Sequence, residues 1–255
     1  MSSDAVLIEA RGDIRILTLN RPESLNAFDE ELHRELPLAL RSVGDDPDAK
    51  VIVLTGAGRA FSAGGSIDDF EKFADDLKAR RAALREGRRL FDELINVHLP
   101  VVAAVNGPAV GLGCTVATAC DMVFISQDAF MADPHVTVAL VAGDGGAATW
   151  PLSAGLLRAK EFLLTGDRIS AEQAVRIGIA NRVVPADQVM EQALAWAEKL
   201  AALPWQAVQD TKSVLNQHLR QAAVSTLGYG LAAESQSHDT QEFREIPARF
   251  RARRR

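Results

Sequence analysis

The sequence predicts an α/β protein with parallel strands, followed by an all-helical end. Three observations carry this. Short β-branched runs such as "KVIVLTG" and "PVVAAVNG" have the unbroken apolar character of strands covered on both faces. Helical stretches separate them, so β and α alternate along the chain. After about residue 186 the strand-like runs stop and only helical periodicity continues.

The elements follow in order. "VLIEARGDIRILTLN" reads as two short strands around a Gly12-Asp13 turn. "DEELHRELPLALRSV" has helical spacing, with Asp29 as its cap and Pro37 as a kink. "KVIVLTG" is a buried strand. Residues 69 to 98 form an amphipathic helix, with Phe70, Phe73, Leu77, Leu84, Phe91, Leu94 and Ile95 near one stripe. "PVVAAVNG" is the next buried strand. "GLGCTVATACD" is a helix of small side chains that must pack closely, and "MVFIS" is a further strand. "ADQVMEQALAWAEKLAAL", "PWQAVQDTKSVLNQHL" and "AAVSTLGYGLAAESQ" are helical. A boundary near 195 divides an α/β core, residues 1–195, from a helical region, residues 196–255. There is no internal repeat and no low-complexity linker.

The chain has 255 residues and is 47% apolar, enough for a buried core in one domain or in one large and one small. Aromatics are only 5%, so the core must be mostly Ala, Val, Leu and Ile. A net charge of −6 and a pI near 5.4 argue against a general nucleic-acid binder. The C-terminus runs the other way: Arg244, Arg249, Arg251, Arg253, Arg254 and Arg255 stand against Glu245 alone. Such an end is either a frayed solvated tail or a docking surface for phosphate. Cys114 and Cys120, in an apolar segment without His or Cys partners, read as buried free thiols. The N-terminus lacks the pattern of a signal peptide, and no apolar run approaches about 18 residues, so a cytoplasmic protein without a membrane span is expected.

Two glycine-rich turns link a strand to a helix: "TGAGRAFSAGGSID" (55–68) and "VNGPAVGLGCT" (105–115). A dinucleotide fingerprint lacks its third glycine here, and without G-K-[ST] there is no P-loop. Two readings stay open. The glycines either only permit tight turns, or they let two helix-start amides converge on an oxyanion.

"GAGRAFSAGGSID", "LPVVAAVNGPAVGLGCTVATACD" and "LLTGDRISAEQAVRIGIANRVVP" together resemble the crotonase (enoyl-CoA hydratase/isomerase) superfamily, over essentially the whole chain. The resemblance implies a spiral of ββα units with a C-terminal helical oligomerisation region, in trimers or dimers of trimers. It implies an acyl-CoA substrate or a close relative. No metal and no cofactor are implied, with CoA entering only as part of the substrate. It places the backbone N–H groups of Gly65 and Leu112 on a thioester oxygen as an enolate forms, with Ala63, Gly111, Thr115 and Trp150 against the substrate.

The chain departs from the two-glutamate hydratases it resembles. The glutamate after the cysteine of "GGGCE" is Thr115 here, and the glutamate of the "PE" pair is His135. Read on their own, His135 is a loop histidine, Asp144 a helix cap, Thr115 packing and Glu234 an exposed helix charge. A second resemblance gives them roles. The "PH" pair, the aspartate nine residues later in "GDG" and the following "WP" are similar to the carbon–carbon bond hydrolase branch typified by oxo-camphor hydrolase. There a histidine–aspartate pair activates water in a retro-Claisen cleavage, and Glu234 in "GYGLAAE" matches a further glutamate. His135 oriented by Asp144, assisted by Glu234, is then the expected catalytic set. The expected reaction is cleavage of a β-diketone. The alternatives are hydration or isomerisation of an enoyl-CoA, and a non-catalytic relative that binds acyl-CoA or RNA. At the position of the phosphate-facing lysine of some hydratases stands Asp68, and the CoA-type turn "RAFSAGG" is kept.

Overall fold

The computed structural model describes residues 5–66 and 69–253. Asp68, Arg254 and Arg255 lie outside the described residues, as do the side chains of Arg251 and Arg253.

Among the described residues nine strands build two sheets. They are β1 (Val6–Arg11), β2 (Ile14–Leu19), β3 (Val51–Gly56), β4 (Val101–Val105), β5 (Ala109–Val110), β6 (Met122–Ser126), β7 (Phe130–Ala132), β8 (Ile169–Ser170) and β9 (Arg182–Val184). The large sheet has the order β1-β2-β3-β4-β6-β9. β1 and β2 form the expected hairpin, with Arg11 opposite Ile14. All other pairings of that sheet are parallel. β3 and β4 are buried at every position, which is why their sequences do not alternate. The small sheet pairs β5 with β7 in parallel and β7 with β8 antiparallel.

The helices are α1 (Glu30–Gly44), α2 (Phe70–Asp75), α3 (Leu77–Asn96), α4 (Leu112–Ala119), α5 (Gly146–Ala154), α6 (Leu156–Thr165), α7 (Ala171–Ile177), α8 (Val189–Ala201), α9 (Trp205–Leu215), α10 (Gln217–Ser237), α11 (Gln241–Arg244) and α12 (Ile246–Arg253). Asp29 caps α1 by accepting from the Leu32 N–H, as expected, and Pro37 sits inside that helix. α1, α3 and α4 bury Leu32, Leu40, Phe91, Leu94 and Val116 with one face of the large sheet. α8 covers the other face, packing Val189, Ala193 and Leu194 on Ile16, Val53 and Phe124.

Three expectations need correction. Residues 69 to 98 are two helices: the Asp76 carboxylate caps α3 by accepting from Lys78 and Ala79 N–H groups, which ends α2. Leu77, placed on the buried stripe, is exposed as a result. Residue 195 falls inside α8, whose apolar face belongs to the α/β core, so the helical region begins at Trp205. An alanine-rich helix has the same periodicity whether it covers a sheet or other helices, and periodicity alone placed it wrongly. The basic end is no frayed tail through Arg253, because it forms α12. Arg244 donates to Asp75 Oδ1 at 2.9 Å and Arg249 pairs with Glu245, so these charges are partly spent on the chain itself.

The helical region is fastened to the core by polar side chains. Lys212, buried on α9, donates to Leu99 O at 2.7 Å and pairs with Asp121 at 2.8 Å. Asn216 donates to Ile95 O at 2.9 Å. α10 then crosses above α5, which brings it to the end of the sheet where the glycine turns lie.

Candidate active site

The two glycine turns are knitted together. Ser62 and Ala109 form an isolated parallel bridge, Phe61 and Ser62 N–H both reach Pro108 O at 3.1 Å, and Val110 N–H donates to Ser62 O at 2.9 Å. Gly64 sits at φ +85°, and a Cβ there would lie 2.5 Å from Val110 O. Gly64→Ala is therefore expected to cost about 2–4 kcal/mol, since it adds a strained backbone to a backbone clash. Urea unfolding checks this, and an unshifted midpoint would mean that the turns separate freely.

That junction leaves donors unspent. Ala63 N–H goes to Leu25 O, Gly64 N–H to Ser62 Oγ and Ser66 N–H to Phe28 O. Among the described residues no hydrogen bond uses the N–H of Gly65 or of Leu112, the first residue of α4. Both residues line a cavity of about 300 Å³, together with Ala63, Gly111, His135, Asp144 and Glu234. The structure thus brings the three side chains expected to act and both amides to one place.

The side chains arrive on different elements. β7 ends at Ala132, whose carbonyl accepts from Gly111 N–H at 2.8 Å and so fixes the following segment against the second turn. Asp133 and Pro134 lead into a 3-10 turn, His135–Val138. The next loop carries Asp144 to the start of α5, and Glu234 comes from α10.

Asp144 does not hold the histidine ring as expected. Its Oδ2 lies 3.6 Å from His135 Nε2, beyond a hydrogen bond. Asp133 holds the ring instead, with its Oδ1 in short contact with Nδ1. Nor is Asp144 a capping residue: the cap position of α5 is Gly145, and no side chain caps that helix. Its Oδ1 accepts from Thr115 Oγ1 at 2.9 Å, while Oδ2 is buried without a partner. Thr115 therefore positions Asp144. Glu234 Oε2 is likewise buried and unpartnered. Trp150 was expected against the substrate and is not there. It is fully buried in the main core on α5, away from the cavity wall.

The electrostatics follow from crowding. Burial raises the Asp144 carboxyl, and the nearby Asp133 charge adds to this, while His135 opposes both. Glu234 is pushed up to about 8 by burial and by the charges of Asp144 and Asp133. Burial alone would lower the His135 imidazole, but Asp133, Asp144 and Glu234 outweigh it and hold the ring protonated well above its usual value. Asp133, His135 and Asp144 offer ligand atoms within 4.8 Å of one another, as a cation pocket would. Asp133 Oδ1 already meets His135 Nδ1, however, and the imidazolium supplies the positive charge that a cation would bring, although Asp133 Oδ2 stays unpartnered.

Asp133 was missed from the sequence. Its signal was a carboxylate two positions before the histidine at a strand end. Arg80, His33 and His238, also on the cavity wall, gave no signal.

An α/β fold that opens unspent backbone donors and a buried imidazole–carboxylate cluster into one cavity defines an enzyme of the acid–base class. The enoyl-CoA hydratase/isomerase family model matches residues 9–255. A probable enoyl-CoA hydratase of Rhizobium meliloti is 33% identical over 254 residues, covering 100% of this chain and 97% of the relative. The short-chain-enoyl-CoA hydratase of Clostridium acetobutylicum is 29% identical over 251 residues, 98% of this chain and 95% of that one. A crystal structure of an enoyl-CoA hydratase/isomerase from Mycobacterium paratuberculosis superposes with a TM-score of 0.92 at 48% identity, covering 96% of this chain and 98% of that chain. The chain belongs to the enoyl-CoA hydratase/isomerase family and has its crotonase fold with a helical C-terminal region. The carbon–carbon hydrolase expected first is not what these relatives are named for. No helix among the described residues is long and apolar enough to cross a membrane.

Proposed function

We propose that the protein hydrates the double bond of an enoyl-CoA thioester, with Asp144 and Glu234 in place of the two missing glutamates. One observation carries this: two carboxylates with unpartnered buried oxygens share a cavity with two unspent backbone N–H groups. The N–H groups of Gly65 and Leu112 donate to the thioester carbonyl oxygen, where charge builds as the enolate forms. A water molecule sits against Asp144 Oδ2 and His135 Nε2. Asp144 takes its proton while the imidazolium holds its oxygen, and the oxygen bonds to Cβ. Glu234, neutral below about pH 8, gives its proton to Cα. Water thereby adds across the bond, and a proton passed from Asp144 to Glu234 through solvent resets the site.

The test is disappearance of the conjugated absorbance of crotonyl-CoA, run beside a cyclic β-diketone. Turnover of the thioester, lost in Asp144→Asn, is expected. Turnover of the diketone alone would replace this reading by the second one, retro-Claisen cleavage. That reading is favoured by one observation, a histidine with a carboxylate at each ring nitrogen where a hydratase has glutamate. Exposed Leu157, Leu164, Val214 and Val224 support a self-associating chain, and its assembly as a trimer or dimer of trimers rests on the crotonase resemblance.

Glu234 also sets a pH dependence. Its folded value of about 8 lies above the unfolded value near 4.5. Between these, the native state holds a proton that the unfolded state has lost, so stability is present below the lower value and falls as pH rises through the upper one. Glu234→Gln should therefore lose less melting temperature than the parent between pH 5 and pH 9. Parallel Tm curves would show that Glu234 ionises freely in the fold.

A further inference from the structure

We propose that the cavity selects acyl chains ending in a carboxylate, with Arg80 as the residue that recognises it. The inference rests on the thioester reading above. Arg80 lies in the first turn of α3, lines the cavity and is only 5% exposed. A guanidinium stays charged and offers five N–H donors, and its burial requires compensation. That compensation is incomplete. Nη1 donates to Asp239 Oδ1 at 2.8 Å and Nη2 to Asp239 Oδ2 at 3.3 Å, while Nε is buried without a partner. Asp239 itself, just beyond α10, is 62% exposed, so water shares its charge. Among the described residues no other carboxylate pairs with Arg80.

The rest of the wall makes this charge selective. Phe70, Phe73, Leu84 and Leu231 give an acyl chain an apolar path. Burial and then the Arg80 charge both lower the His238 imidazole, so His238 is a neutral neighbour and not a second cation. At the reacting end the His135 imidazolium is faced by the Asp133 and Asp144 carboxylates, so it offers an anion no uncommitted positive charge. A terminal carboxylate therefore finds its incompletely matched cation at Arg80. Glu234 and His238 lie one turn apart on the same stretch of chain, about 6 Å of rise. Such a gap suits a chain of few carbons.

The same ion pair also ties α3 to the end of α10, so the test must separate holding from recognition. Calorimetric titration of the full-length protein with glutaryl-CoA and with butyryl-CoA does so. The parent is expected to bind glutaryl-CoA at least about tenfold more tightly, the scale of one charge-assisted contact. Arg80→Met should remove that preference while leaving butyryl-CoA within about twofold. Asp239→Asn, which frees the guanidinium, should widen it. Equal affinities in the parent, or equal loss for both ligands in Arg80→Met, would overturn the proposal and leave the thioester reading standing. If Arg80→Met does not fold, a preference unchanged in Asp239→Asn overturns it. Failure of both thioesters to bind would overturn the thioester reading and this one with it.

Discussion

His135→Ala is expected to lower kcat on crotonyl-CoA by about 100-fold or more, the lower bound for losing a group that handles a proton. The ring supports no part of the core; its polar atoms meet only carboxylates. Its removal leaves Asp133, Asp144 and Glu234 facing one another with no cation between them. The repulsion then raises Asp144 further, and a protonated Asp144 cannot take a proton from water. The water also loses the imidazolium that orients it. His135→Gln restores volume but not charge and should be nearly as slow. Steady-state kinetics on both variants, with circular dichroism to show that they fold, decide the matter. Turnover within threefold of the parent would sink the proposed role.

Asp133→Asn is expected to cost a comparable factor, about 100-fold or more, although Asp133 touches no substrate. Asp133 is the largest influence that keeps the ring protonated, and it fixes Nδ1 by direct contact. An amide of the same size removes the charge and leaves the ring free to choose its tautomer. A purely structural loss would not move the titration of His135. Nuclear magnetic resonance of the imidazole should show its pKa falling in the Asn variant, alongside the loss of turnover. An unmoved titration with full activity would assign the orientation of the ring elsewhere.

Much of this was legible in the sequence because it depends on local chemistry. Buried strands declare themselves through unbroken β-branched runs, as β3 and β4 do. The glycine turns and the Pro134-His135 pair sit where the chain must turn at a strand end. What failed to read depends on contacts between distant parts. Whether Asp133 or Asp144 meets Nδ1 is decided by the geometry of a 3-10 turn, not by spacing. Trp150 follows Asp144 closely, yet one helical turn is enough to aim it into the core. Arg80 looked like one charge among many on α3, and only the fold shows that its side is covered. The end of the α/β core was misplaced because α8 carries the same alanine-rich pattern whether it covers strands or helices.

One contact behind the site has a consequence for how the enzyme comes into being. A Cβ on Gly143 would lie 2.4 Å from Gly230 O and 2.9 Å from Glu234 Oε2, so the loop bearing Asp144 and the helix bearing Glu234 touch backbone to backbone. These segments are far apart along the chain, and closing so long a loop carries an entropic cost that only finished packing repays. A nascent chain still lacking α10 holds its histidine and both aspartates but no Glu234, and so has no complete acid–base set. If these residues act as proposed, catalytic competence is acquired at the end of synthesis and folding, once the last long helix has docked.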